Sequence, residues 1–372
     1  MNDTLRLFLA GDVMTGRGID QALAQPSDPV LYEDWIRNAR DYLGLAEHAN
    51  GPIAVPLAPE AVWGDALAAL DRAQPDLRIV NLETAVTTAS TAWPGKGIHY
   101  RMHPGNVGVL RAARIDACVL ANNHVLDWGR QGLAQTLQTL QSAGIATVGA
   151  GADARAAWAP VRMPLRGGAT LLLFALAFGS AGAPADWAAT AQRPGIAWLD
   201  KPTRAGADRW SEHIGRQRRA GDTVVASVHW GGNWGRDVPA THREFAHRLL
   251  DAGVVDVLHG HSSHHPLPIE VYRDRLVLYG CGDLLNDYEG IGAHGGLRSD
   301  LGCLYLATLT RGTGALRELE IVPMQIRRFA LRDADDAARR DLLSLFNEQK
   351  PPLGTRVQTA PAGGWRLRWT AT

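Results

Sequence analysis

Residues 117–144 read ACVLANNHVLDWGRQGLAQTLQTLQSAG, and three signals follow one another within them. The run 117–121 is continuously apolar, the pattern of a short strand buried on both faces. It stops abruptly at Asn122-Asn123-His124, three polar side chains at the strand's carboxyl end. Leu133, Leu137 and Leu140 then recur at helical spacing, and Gly144 stands where a helix C-cap belongs. A buried strand, a polar turn and a helix in that order form one half of an α/β unit.

The same sentence is repeated along the chain. LRLFLA (5–10) runs into Gly11-Asp12, and LRIV (77–80) runs into Asn81-Leu82-Glu83. TVVASV (223–228) ends at His229-Trp230-Gly231, VVDVL (254–258) at His259-Gly260-His261, and RLVLYG (275–280) leads to Cys281-Gly282-Asp283. Helical patterns fall between several of these runs, at 62–73 and at 241–253, the second with Thr241 as N-cap, Glu244 at the capping-box position and Gly253 at its end. Strands alternating with helices predict an α/β fold. In such sheets ligands bind beyond the carboxyl ends of the strands, so these polar ends converge on one cleft.

Taken together the strand ends offer Asp12, Glu83, Asn123, His124, His229, His261 and His264. Carboxylate, amide and imidazole donors in one place suit Mn, Zn or Fe, and a carboxylate shared between two ions is the arrangement of two-metal hydrolases. His261-x-x-His264 lets one loop aim two imidazoles at one site. Each piece has a plainer reading by itself: Gly-Asp as a turn, His229 as an interior histidine, Asn122-Asn123 as a turn closed by a residue that tolerates left-handed backbone. Recurrence at five strand ends is what points to a centre for two divalent metal ions.

In order, GDVM (11–14), NLET (81–84), ANNHVLDWG (121–129), HWG (229–231) and GHSSH (260–264) resemble the motifs of the CapA, or PGA_cap, capsule-synthesis family, a branch of the calcineurin-like metallophosphoesterases. The resemblance runs from about residue 5 to about residue 290. It implies a four-layer αββα sandwich, with Asp12 on the first metal, Glu83 as bridging carboxylate, Asn123 on the second metal, and His229, His261 and His264 as the remaining ligands. It also implies that a metal-held hydroxide attacks a phosphoester while His124 protonates the leaving oxygen. Asp127 either orients His124 or caps the helix that follows. Two departures stand out: Val13-Met14 replaces the x-His of Asp-x-His, as in the capsule branch generally, and Ser262-Ser263 stands where that branch has His-Pro.

The rest of the chain bounds the reading. Lys+Arg and Asp+Glu number 38 each, so no net field favours nucleic acid or a membrane surface. Three scattered cysteines form no metal or disulfide pattern. TLLLFALAFGSAGA (170–183) is shorter than the ~20 residues that span a bilayer; with no room for a leader before the first strand, a soluble cytoplasmic protein is expected. Lys96, His99 and Arg101, in the loop after the second strand, are candidates to hold a small anionic or peptide-like substrate, a solvated loop being the alternative. One domain over 1–330, with a surface excursion near 181–220, precedes a helix and tail over 331–372. An amide, especially a γ-glutamyl bond, is the rival substrate, and an accessory role in polymer assembly is the non-enzymatic alternative.

Overall fold

The computed structural model describes residues 3–348, 352–360 and 364–370. Four parallel strands lie side by side in chain order: β1 (Thr4–Val13), β2 (Leu77–Leu82), β3 (Ala117–Val119) and β4 (Ala146–Val148). The chain then builds a second sheet of seven strands. Its members are β5 (Val161–Pro164), β6 (Thr170–Phe178), β7 (Trp198–Leu199), β8 (Thr223–His229), β9 (Val257–His261), β10 (Ile269–Tyr272) and β11 (Arg275–Leu278). The core order β6-β8-β9-β11 is parallel throughout.

The chain finally returns to the first sheet. β12 (Asp283–Leu285) pairs parallel with β1, and β13 (Leu301–Thr310) antiparallel with it. β14 (Leu316–Arg327), β15 (Ala330–Asp333), β16 (Thr355–Thr359) and β17 (Trp365–Trp369) complete ten strands. The stretch expected as a helix and tail therefore supplies strands to the main sheet. The excursion near 181–220 likewise contributes β7, hydrogen-bonded to β6.

Period-two alternation explains how the layers stack. Along β6, Leu171, Leu173, Ala175 and Ala177 enter the core shared with the first sheet. Leu172, Phe174, Leu176 and Phe178 enter a second core on the opposite face. Helices α1 (Asp65–Ala73) and α2 (Gly129–Ser142) pack on the first sheet, and α3 (Arg204–Gly215) and α4 (Ala240–Asp251) close the second core with Trp210, Ile214, Phe245 and Leu249. α5 (Asp336–Asn347) adds Leu342 and Phe346 to the first core, the Phe346 ring edge-on to Tyr305 and Trp365. The result is the expected αββα sandwich.

Two local expectations change. The 62–73 helix is split at Gly64, where the backbone turns to φ +45°; only glycine fits there, since a Cβ would sit 2.3 Å from the Leu331 carbonyl oxygen. The helix expected with Thr241 as its N-cap starts two residues earlier, with Pro239 at the N-cap and no side-chain cap bond. No helix among the described residues is long and apolar enough to cross a membrane, and 170–178 is a buried strand instead. Cys118, Cys281 and Cys303 are buried and free.

Candidate metal centre

The two sheets bring their strand ends together. Asp12 is in register with Asn81 on β2 and with Asp283 on β12. In the other sheet His229 is in register with His261. Two clusters follow, each with one donor atom per residue and all its donors within 4.8 Å of one another: Asp12, His229 and His261, and Asp12, His264 and Asp283. All five residues are buried.

A chain of hydrogen bonds sets the imidazole tautomers. His259 Nε2 lies 2.8 Å from the Ala10 carbonyl oxygen, which can only accept, so Nε2–H donates and Nδ1 is left with a lone pair. Ser227 Oγ donates to that Nδ1 at 3.0 Å, and having one proton must accept from His261 Nε2 at 2.9 Å. His261 Nδ1 is thereby left unprotonated, facing His229 Nδ1 at 2.8 Å and Asp12 Oδ1 at 3.9 Å. On the far side His229 Nε2 reaches Asn123 Oδ1 at 3.0 Å. Burial, first of all, holds both imidazoles well below their usual pKa, so both are neutral.

The carboxylates tell the complementary story. Asn81 Nδ2 donates to Asp12 Oδ1 at 2.7 Å and to Glu83 Oε2 at 2.9 Å, holding the two acids together. Burial and then Asp283 push Asp12 up to about 7, while burial and then Asp12 push Glu83 well above its usual value. Neutral imidazole lone pairs beside crowded, buried carboxylates are a donor set that a divalent cation satisfies, and the residues fit the expected metals. His264 differs from the other two: burial lowers its pKa, but Asp283 at 2.9 Å and Asp12 together outweigh burial and raise it.

Beside the clusters stands a dyad. His124 Nδ1 lies 2.7 Å from Asp127 Oδ2, which leaves Nε2 on the side of Glu83 Oε1, 3.8 Å away. Asp127 also accepts from Lys96 Nζ and, at 2.7 Å, from the Tyr100 backbone N–H. It is not a helix cap, since Trp128 holds that position. Asn122 Oδ1 accepts from the backbone N–H groups of His124 and Val125, and its amide donates to Asn81 Oδ1 and the Leu82 carbonyl. Desolvation by burial brings His124 down to about 4, with Asp127 opposing and Lys96 reinforcing.

The family model described as "Bacterial capsule synthesis protein PGA_cap" matches residues 6–288. The chain belongs to this family. Over 96% of its length this PGA_cap chain is 43% identical to a probable polyglutamine synthesis accessory protein of Mycobacterium tuberculosis, covering 94% of that protein. It is 29% identical to the PGA biosynthesis protein CapA of Bacillus subtilis, over 77% of this chain and 64% of CapA. A solved phosphatase from Mycoplasma pneumoniae aligns with 93% of the chain and 100% of its own at 12% identity, with a TM-score of 0.47.

The remaining expected site residues of the PGA_cap chain have these surroundings. Asp12 is the carboxylate common to both clusters, and Glu83 lies beside them, its Oε2 3.8 Å from His229 Nδ1. Asn123 meets His229. Lys96 is engaged by Asp127 and packs 5.4 Å from the Trp187 ring centroid. His99 Nε2 lies 3.0 Å from the Trp93 carbonyl oxygen. Arg101 donates to the carbonyls of Ala89 and Asp28 and lies 3.7 Å over Trp128, so its guanidinium braces loops instead of waiting for an anion. Asp283, Ser227, His259 and Asn81 were not among the candidates. Asp283 had a signal, for RLVLYG leads to it as the other apolar runs lead to theirs. Ser227 had none, being one position inside an apolar strand.

Proposed function

We propose that this PGA_cap chain is a metal-dependent hydrolase of phosphoesters, with divalent cations held by Asp12, His229 and His261 on one side and by Asp12, His264 and Asp283 on the other. Such cations, when bound, supply Lewis-acid activation of water and neutralise charge on the phosphoryl oxygens. The observation that carries the proposal is the His124–Asp127 dyad at 2.7 Å beside those donors. Asp127 Oδ2 and, at 3.0 Å, Lys96 Nζ both meet the imidazole at Nδ1, so Nε2 is the atom left to hand a proton to the departing oxygen. A dianionic phosphoryl group arriving beside that ring offsets the burial that keeps it neutral.

The test is hydrolysis of an aryl phosphate by Mn²⁺-loaded protein, run beside elemental analysis. Metal-dependent turnover that falls sharply in His124→Ala, with metal retained, supports the reading; turnover unchanged in that variant sinks it. The names of the relatives, a polyglutamine synthesis accessory protein and a PGA biosynthesis protein, favour a second reading in which the same centre serves polymer assembly, with a γ-glutamyl amide as the rival bond. Bound metal with release of glutamate from a γ-glutamyl peptide, and no phosphate release from any ester, would select the amide over the phosphoester.

A further inference from the structure

Next to the metal centre is a cavity of about 210 Å³ lined by Arg17, Trp35, Tyr42, Ile98, Trp234 and Tyr288 among others, and by His264. His264 belongs to the Asp12–His264–Asp283 cluster, so cavity and centre share a wall. The other link runs through Tyr100. Its hydroxyl meets that of Tyr288 at 2.6 Å, and its ring packs edge-on against His124 at 4.4 Å between centroids. Two aromatic side chains, Tyr288 in the cavity wall and Tyr100 behind it, thus connect this cavity to the proposed proton donor.

The walls state what the cavity takes. Trp234 presents a flat face already paralleled on one side by His294, at 4.6 Å and 7°. Trp35 stands at the rim 68% exposed and Ile98 40% exposed; Val30 and Tyr32, from the same segment as Trp35, are also among the exposed large hydrophobic residues. Trp35 and Ile98, exposed apolar side chains of the cavity lining itself, mark a binding surface. Charge argues against a polyanion. The one guanidinium, Arg17, is neutralised twice over, by Glu33 at 2.7 Å and by Asp287, and its cationic face is covered by Tyr42 at 3.9 Å. By size, an apolar cavity of about 150 Å³ holds one benzene ring, so this one has room for a ring and a substituent.

We propose that the cavity receives the leaving group of the substrate and selects a planar, uncharged aromatic ring. The assignment rests on the hydrolase reading for the word "leaving" but not for the binding itself, which can be measured without turnover. The experiment is calorimetric titration of Mn²⁺-loaded protein with phenylphosphonate, cyclohexylphosphonate and methylphosphonate. Phenylphosphonate should bind roughly ten-fold tighter than methylphosphonate, the scale of one buried stacking contact. In Trp35→Ala, a change at an exposed position that keeps the fold, and in Trp234→Ala, that ratio should fall toward one. Equal affinity for phenyl and methyl compounds, or a ratio unmoved in both variants, overturns the proposal. Cyclohexylphosphonate binding as tightly as phenylphosphonate overturns the aromatic class in favour of a general apolar pocket. Selective phenylphosphonate binding without hydrolysis of phenyl phosphate leaves the pocket standing and removes the hydrolase reading alone.

Discussion

His261 is turned toward Asp12 by Ser227, whose hydroxyl lies 2.9 Å from His261 Nε2 and 3.0 Å from His259 Nδ1. The contact decides which ring nitrogen carries the proton, because His259 is itself fixed by the Ala10 carbonyl of the opposite sheet. A backbone oxygen of β1 thus sets the tautomer of an imidazole on β9 that faces a carboxylate of β1.

Removing the hydroxyl frees that tautomer. Ser227→Ala should leave the fold intact and weaken metal binding by about 10–100-fold, the usual cost of losing a partner that orients a ligand. Titration of metal-stripped protein with Mn²⁺ or Zn²⁺ reads it directly. An unchanged affinity would mean that His261 is oriented by packing alone.

Asp127 acts on the reaction rather than on the metal. Asp127→Asn keeps the shape but loses the charge that favours protonated His124, so turnover should fall by about 10²–10⁴-fold with metal content unchanged. The loss should be greatest for esters with basic leaving groups, which most need a proton. A loss independent of leaving-group basicity would show that Asp127 serves only to brace the loop, through Tyr100 N–H and Lys96.

What the sequence made legible follows from what a pattern can encode. Asp12, Glu83, Asn123, His229 and His261 each end an apolar run, and burial of the run fixes where its end points. Asp283 begins a three-residue strand, and its place beside Asp12 depends on a pairing between remote parts of the chain that no local period announces. Lys96, His99 and Arg101 sit in a loop, where side-chain direction has no periodicity; each turned inward to a carbonyl or carboxylate. The last strands were missed for a related reason. β16 and β17 alternate exposed and buried residues, but Gly and Pro around them read as a tail until the first sheet offers an edge.

Arg17 carries a stability prediction. Its guanidinium is buried between Glu33 and Asp287, with Tyr42 OH accepting at 2.9 Å. Arg17→Met would leave two buried acids facing each other without a cation, at a cost of about 3–5 kcal/mol. Thermal or urea unfolding measures it. A loss below about 1 kcal/mol would mean that the two acids take up protons or water more readily than their burial suggests.

Two glycines should respond in opposite directions to the same methyl group. Gly260 separates His259 from His261, and a Cβ there would lie 2.4 Å from the Tyr279 carbonyl oxygen and 2.6 Å from that of Leu278. Those are backbone atoms of and just beyond β11, the neighbouring strand, so relief requires β9 and β11 to part. Gly260→Ala should cost about 1–3 kcal/mol or more and weaken metal binding as well, since His261 moves with its strand. Gly44 lies exposed within the helix Arg40–Asn50, where an added Cβ meets nothing within 4 Å. Gly44→Ala should stabilise by roughly 0.5–1 kcal/mol through lower backbone entropy in the unfolded chain. Unfolding curves for the pair, with metal titrations alongside, separate the two effects. If Gly260→Ala unfolded like the wild type and bound metal normally, the close approach of β9 to β11 would not be what holds His261 in place.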